Sequence, residues 1–186
     1  MIAICVGHSR GDGGAVSLGG VNEWNFNRKL GRKVVERLDA LGIECELIDR
    51  YAQSGYTKAM TLLAGCLRSK GAELAVELHF NAASNATATG HEWLHWHTSR
   101  EGRRAAQCLD KAFVDTFPNH RRRGLIGIQT EQQRGGGFLR RTHCPAVIAE
   151  PFFGSTRGDW HFAQDHETEI AHTIARGIAA WKGVSA

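Results

Sequence analysis

No apolar stretch in this chain approaches the roughly 20 residues that a helix needs to cross a bilayer. The first apolar run, Ile2 to Val6, is too short for the hydrophobic region of a secretory leader. It has no basic segment before it and no small-residue cleavage site after it. The expectation is a protein made in the cytoplasm without a signal peptide, which reaches any site outside only when something else lets it out. Disulfides are equally unsupported, because the five cysteines (Cys5, Cys45, Cys66, Cys108 and Cys144) are odd in number, widely spaced and free of any Cys-x-x-Cys pair. They read as reduced residues in mostly apolar surroundings. No internal repeat or linker interrupts the sequence, so residues 1–186 read as one domain, expected to be monomeric. The net charge is only +4, yet positives cluster at Arg103-Arg104, Arg121-Arg122-Arg123 and Arg140-Arg141 beside His120 and His143. Such patches suit weak attraction to an anionic envelope surface. They have no aromatics interleaved with them, as a nucleic-acid groove would, so no nucleic-acid partner is expected. A basic nucleic-acid-binding protein is the alternative of a different class.

What the chain does have is 42% hydrophobic content over 186 residues, enough for one sizeable core. Ile2 to Val6 reads as a strand buried on both faces, and the Gly/Ser/Asp-rich stretch Gly7 to Gly20 as a loop. Phe26, Leu30, Val34, Leu38 and Leu41 recur at helical spacing, with Asn22 as the cap and Gly42 as the stop. Strands are expected at Ile43–Ile48, Leu74–Phe80, Glu92–Trp96 and Pro145–Glu150, with a short strand or turn at Gly124–Ile128. Helices are expected around Met60, Leu63 and Leu67, over Arg103–Phe117, and along Ile170, Ile174, Ile178 and Trp181. Gln129 to Gly137, with its Gly135-Gly136-Gly137 run, reads as a mobile loop near a cleft. The alternation indicates an α/β single domain: a mostly parallel central sheet of about six strands with helices on both faces, phosphorylase/hydrolase-like.

Three of the strand-like runs end in groups that can bind metal or move protons. Gly7-His8 follows the first, His79-Phe80-Asn81 follows Leu74 to Leu78, and Glu150-Pro151 follows Ala146 to Ala149. In an open α/β sheet the ligand crevice lies beyond the carboxyl ends of the strands, so these distant groups can converge. With Glu23, in the first turn of the first helix, the set is two histidines and two carboxylates. A catalytic zinc takes three protein ligands and keeps a position for water, and a carboxylate off the metal takes the water's proton. Spacing alone leaves open which carboxylate is the ligand.

Taken in order, Gly7-His8, Gly14-Ala15, Glu23 with Asn27, Leu78-His79-Phe80-Asn81-Ala82, Gly90-x-Glu92 and Pro145-Ala146-Val147-Ile148-Ala149-Glu150 resemble the type-3 family of zinc-dependent N-acetylmuramoyl-L-alanine amidases. The resemblance runs over nearly the whole chain. It implies that His8, Glu23 and His79 hold Zn2+ and that Glu150 is the catalytic carboxylate. It also implies a peptidoglycan substrate, cut at the amide between muramic acid and L-alanine of the stem peptide. A lone catalytic domain of this kind looks like a phage lysis enzyme, an endolysin that acts at the bacterial wall after release. The alternative within hydrolases is a zinc amidohydrolase or peptidase acting on soluble acyl amino acids or wall fragments. Three departures stand out: Ser9-Arg10-Gly11-Asp12 in place of a Gly-rich loop, Glu77 where a Ser often precedes the second His by two positions, and Pro151 after Glu150.

Other readings of single residues compete. Glu23 is also explained by the helix dipole, and Glu150 by an ion pair with Arg140 or Arg141. By the two-residue period Glu77 shares a face with His79, so it can orient that ring or compete as a ligand. Asn81, Glu92 and Arg141 are further candidates to support the ligands or touch substrate. His91, His95 and His97 fall on one strand face and form either a rival metal cluster or a wall of the cleft. Trp93 and Trp96 fall on opposite faces, so that at most one lines the cleft.

Overall fold

The computed structural model describes residues 1–51 and 55–185. In chain order the elements are β1 (Ile2–Val6), α1 (Glu23–Ala40), β2 (Cys45–Ile48), α2 (Tyr56–Ser69), β3 (Leu74–Leu78), β4 (His91–Trp96), α3 (Arg100–Thr116), β5 (Arg122–Ile128), α4 (Gly136–Arg141), β6 (Ala146–Glu150), α5 (Arg157–Asp165) and α6 (Glu167–Lys182). The six strands form one sheet in the order β2-β1-β3-β6-β4-β5. Every neighbouring pair is parallel except β6 with β4, which is antiparallel.

The sheet is covered on both faces, which is why β1, β3 and β6 are apolar at nearly every position and buried throughout. On one face Ile2, Ile4, Val76, Trp93 and Val147 pack with Leu30 and Val34 of α1, Leu109 and Phe113 of α3, and Ile170, Ile174 and Ile178 of α6. On the other, Ala3, Cys5, Ala75, Leu94 and Ile148 pack with Met60 and Leu63 of α2 and with Phe138 and Leu139 of α4. Asn22 caps α1, accepting from the Asn25 N–H at 2.9 Å. Gly177 lets α3 and α6 meet closely: a Cβ there would sit 2.7 Å from the Leu109 Cα.

Several boundaries differ from those read off the sequence. β3 stops at Leu78, because His79 and Phe80 turn away toward the site, although the His79 N–H still reaches the Ala149 carbonyl at 3.0 Å. β5 starts at Arg122, since Arg122 and Arg123 pair with carboxylates instead of remaining a solvated charge run. Gln129 to Gly137 is not structureless. The Gln133 side chain accepts from the Gln129 and Thr130 N–H groups, and Gly136 opens α4. α5 is short, and its apolar signal, Trp160 and Ala163, is too sparse to show a helical period.

Candidate metal centre and cleft

Parallel pairing decides what meets at the site. Val6 is in register with Leu78, and Leu78 with Ala149, so β1, β3 and β6 end side by side. The residues just beyond them are His8, His79 and Glu150. β4 runs the other way and brings its first residues to the same edge, where Glu92 lies opposite Glu150. Glu23 enters from the first turn of α1.

One ligand atom each from His8, Glu23 and His79 lies within 4.8 Å of the others. The Glu23 carboxylate sits between the rings, with one oxygen 2.7 Å from His79 Nδ1 and the other 3.2 Å from His8 Nε2. The same oxygens accept the Phe80 N–H at 3.1 Å and the Ala15 N–H at 3.2 Å. Burial would raise the Glu23 pKa, but the hydrogen bonds and charges of His79 and His8 hold it at about 2. Conversely, burial opposes a charge on His79, while Glu23 and Glu77 hold its pKa well above the usual imidazole value. Two nitrogens and a carboxylate, already ionised and converging, fit the share a catalytic zinc asks of a protein.

The surroundings leave little slack. His8 takes φ +66°, the one positive φ among the described non-glycine residues. A Cβ on Gly7 would fall 2.2 Å from the His79 ring, and one on Gly14 would fall 2.5 Å from His8 Cδ2 and 2.8 Å from a Glu23 oxygen. Glu77 stands on the far side of His79, with an oxygen 3.2 Å from Nε2. Its other oxygen is 3.0 Å from the buried Tyr51 hydroxyl, which also bonds the Val6 carbonyl. Glu77 thus touches the ring nitrogen opposite the one facing Glu23, the geometry of an orienting group and not of a rival ligand.

Glu150 is buried, and its Oε2 has no hydrogen-bond partner among the described residues. Burial pushes its carboxyl up to about 7, against the pull of the His79 and Arg134 charges. It forms no pair with Arg140, which lies over Trp96, or with Arg141, which bonds Glu131 at 2.6 Å. Glu150 lines a cleft of about 490 Å³ together with His8, Glu23, Glu77, His79, Asn81 and Arg134, while Tyr56, Met60, Leu94 and Ile148 form its apolar wall.

Of the remaining candidates, Asn81 lines the cleft and donates to the Glu92 carboxylate, and Glu92 also binds Arg123 at 2.9 Å and Arg134 at 2.6 Å. Arg141 is turned away onto Glu131. The histidine strand lies elsewhere. His91 is buried 3.6 Å from Asp110 and packs on Phe113 and His120, while His95 Nδ1 faces its neighbour's carbonyl, Trp96 O. Among the described residues His8, Glu23 and His79 are the one set that groups three metal-binding side chains. Neither Trp93, in the core, nor Trp96 is among the residues lining the cleft. Tyr51 and Arg134 went unread in the sequence. Tyr51 follows β2 at the same carboxyl edge, the signal that marked His8 and His79, whereas Arg134 carries no periodic signal at all.

Comparison with known proteins bears on this arrangement. Residues 2–180 match the family model described as N-acetylmuramoyl-L-alanine amidase. Among solved structures the chain is similar to the N-acetylmuramoyl-L-alanine amidase AmiC2 of Nostoc punctiforme, at 20% identity over 98% of this chain and 97% of that one, with TM-score 0.82. It is similar to the CwlD amidase from Clostridioides difficile, solved in complex with the GerS lipoprotein, at 17% identity over 99% of each chain and TM-score 0.85. It is also similar to the catalytic domain of the CD27L endolysin targeting Clostridia difficile, at 24% identity over 96% of each and TM-score 0.80. No curated protein sequence gives a match.

Proposed function

The chain belongs to the N-acetylmuramoyl-L-alanine amidase family, which hydrolyses peptidoglycan, and on that footing we propose that His8, Glu23 and His79 hold one zinc ion beside Glu150 as the proton-transfer group. The observation that carries the proposal is the convergence of those three side chains within 4.8 Å at the strand ends, next to a buried carboxylate with an unpartnered oxygen. When bound, zinc supplies a Lewis acid that polarises the amide carbonyl and lowers the pKa of a water from about 15.7 toward 7.

The rest is work for the chain's own groups. Glu77 accepts from His79 Nε2–H and so fixes the ring with Nδ1, the nitrogen that would bind the metal, directed toward Glu23. The backbone N–H groups of Phe80 and Ala15 fix the Glu23 carboxylate in place. Glu150 takes a proton from the attacking water and returns it to the departing α-amine of L-alanine. Its burial beside the ligand set, with one oxygen unpartnered among the described residues, places it for both transfers.

The endolysin resemblance supports a phage lysis enzyme, synthesised in the cytoplasm and acting on the host wall after release. Among the described residues no helix is long and apolar enough to cross a membrane. Attraction to anionic envelope surfaces is a minor contribution, because Arg104, Arg122, Arg123 and Arg141 already pair with carboxylates.

The test is mass spectrometry of purified sacculi digested with and without a chelator. Stem peptides with a free L-alanine amine should appear only when metal is present. Glu150→Gln should keep stoichiometric zinc and lose at least about 100-fold in rate, whereas His8→Ala and His79→Ala should lose the metal. Wild-type rates in Glu150→Gln would end the assignment of Glu150.

A further inference from the structure

Resting on the amidase reading, we propose that Arg134, anchored by Glu92, forms a carboxylate-binding subsite that receives the stem peptide of the substrate. Arg134 is the one arginine or lysine among the described residues lining the cleft, which is also lined by the carboxyl side chains Asp12, Glu23, Glu77 and Glu150 and by the imidazoles of His8 and His79. It lines the same cleft as Glu150. A Cβ on the adjoining Gly135 would lie 2.0 Å from Ile148 Cδ1, so the backbone here rests directly on β6, two residues before Glu150.

The charges around Arg134 do not cancel. Glu92 is buried, with one oxygen 2.6 Å from an Arg134 nitrogen and the other 2.9 Å from Arg123 Nε. One carboxylate faces two guanidinium groups, leaving an excess positive charge on this wall. Arg123 is otherwise engaged, lying 5.0 Å over the Phe153 ring and reaching the Thr89 carbonyl. Arg134 is not. A guanidinium offers five N–H donors in a planar fork, and among the described residues Arg134 uses one nitrogen, on Glu92 alone, with its side chain 47% exposed. Glu92 therefore tethers one nitrogen of the fork at the cleft wall and leaves an edge of N–H donors without a partner among the described residues. That edge matches a carboxylate in two parallel hydrogen bonds.

The chemistry of the substrate says which carboxylate. On the sugar side the lactyl carboxyl is consumed in the scissile amide, and N-acetylated sugars are neutral. Fixed negative charge near the bond lies on the peptide side, where L-alanine is followed by a γ-linked glutamate whose α-carboxylate is either free or amidated. Arg134 thus marks the leaving-group half of the cleft and distinguishes the free acid from the amide.

The test compares two synthetic muropeptides that differ only in that group, with wild type, Arg134→Ala and Arg134→Lys, each with its zinc content measured. Wild type should favour the free acid by about 10-fold or more in kcat/KM, mainly through KM, as expected for one charge-assisted pair. Arg134→Ala should bring the ratio close to one, and Arg134→Lys, which keeps the charge but not the fork, should fall between. The released peptides give a second readout, since the free-acid product should inhibit wild type more strongly than the amide, and Arg134→Ala should remove that difference. A wild-type ratio near one, or a ratio unchanged in Arg134→Ala with zinc retained, would overturn the subsite and leave the amidase reading standing. Failure of zinc-loaded wild type on both muropeptides would overturn both.

Discussion

Glu150 should make the metal-free protein less stable as pH rises, and replacing it with Gln should remove that penalty. The carboxyl is pushed from the ordinary 4.5 to about 7 by burial, with one oxygen unpartnered. A folded-state pKa above the unfolded one means the native state binds more protons between the two values, so stability falls as pH climbs through that window. At ~1.4 kcal/mol per pH unit, the window from 4.5 to about 7 amounts to about 3 kcal/mol, fully lost by pH 8. Glutamine resembles the protonated acid and does not ionise. Chelated wild type and Glu150→Gln should therefore have similar stability near pH 4, while at pH 8 the variant should be more stable by about 3 kcal/mol. Urea unfolding of both proteins at each pH measures the difference, which removes the pH dependence that the two proteins share. Added zinc should narrow the gap at pH 8, because a dication beside Glu150 stabilises its charge. An equal offset at both pH values would mean that the carboxylate is solvated in the folded protein. Greater wild-type stability at pH 8 would mean that it has a cationic partner; either result refutes the reasoning.

Gly14→Ala combines φ +72° with a Cβ 2.5 Å from His8 Cδ2, so it should weaken zinc by at least about 10-fold in chelator competition and cost about 1–3 kcal/mol of stability. Gly7→Ala should damage the metal site in the same assay through His79, the ring its Cβ would strike. Glu77→Ala should lower zinc affinity by about 10- to 100-fold while leaving the fold intact by circular dichroism, and Tyr51→Phe should do so more mildly. Asp159 accepts the Gly90 and Phe153 N–H groups at 2.9 Å each and the Thr89 hydroxyl. Asp159→Ala should therefore cost about 3 kcal/mol in urea unfolding, since it strands two buried donors near β4 and the end of β6.

The layout of the fold was legible because burial on both faces leaves a simple mark. β1, β3 and β6 are short runs that are apolar apart from Glu77 and the final Glu150, and α1 and α6 repeat their apolar residues at helical spacing, so both patterns survive without knowledge of the partner. Orientation leaves no such mark. β4 carries the same alternation whether it runs parallel or antiparallel to β6, and only the register of Glu92 with Glu150 reveals which. That choice has a functional consequence, because an antiparallel β4 delivers its first residues, not its last, to the carboxyl edge of β1, β3 and β6. His95 and His97 are carried away from the cleft by the same reversal, and the side-chain alternation turns His91 onto Phe113 of α3.

The site divides along the same line. His8, His79 and Glu150 were readable as chemistry-bearing groups at the ends of buried strands, a place where an idle polar residue is costly. Glu23 was not separable from a helix-dipole residue until its oxygens were found between two imidazoles and two backbone N–H groups. Tyr51 and Arg134 belong to a third kind. Each acts through a partner distant in sequence, Tyr51 through Glu77 and Arg134 through Glu92, and a loop residue has no periodicity to betray such a pairing. Glu92 shows the cost of reading such a residue alone. In the sequence it is one more acid near a metal site, yet in the fold two arginines neutralise it, and it holds a guanidinium in a cleft that four carboxyl side chains also line. A Glu92→Gln variant should therefore loosen Arg134 and weaken the free-acid preference, while Arg134→Ala should abolish it. The reverse order would mean that Glu92 contacts the substrate directly.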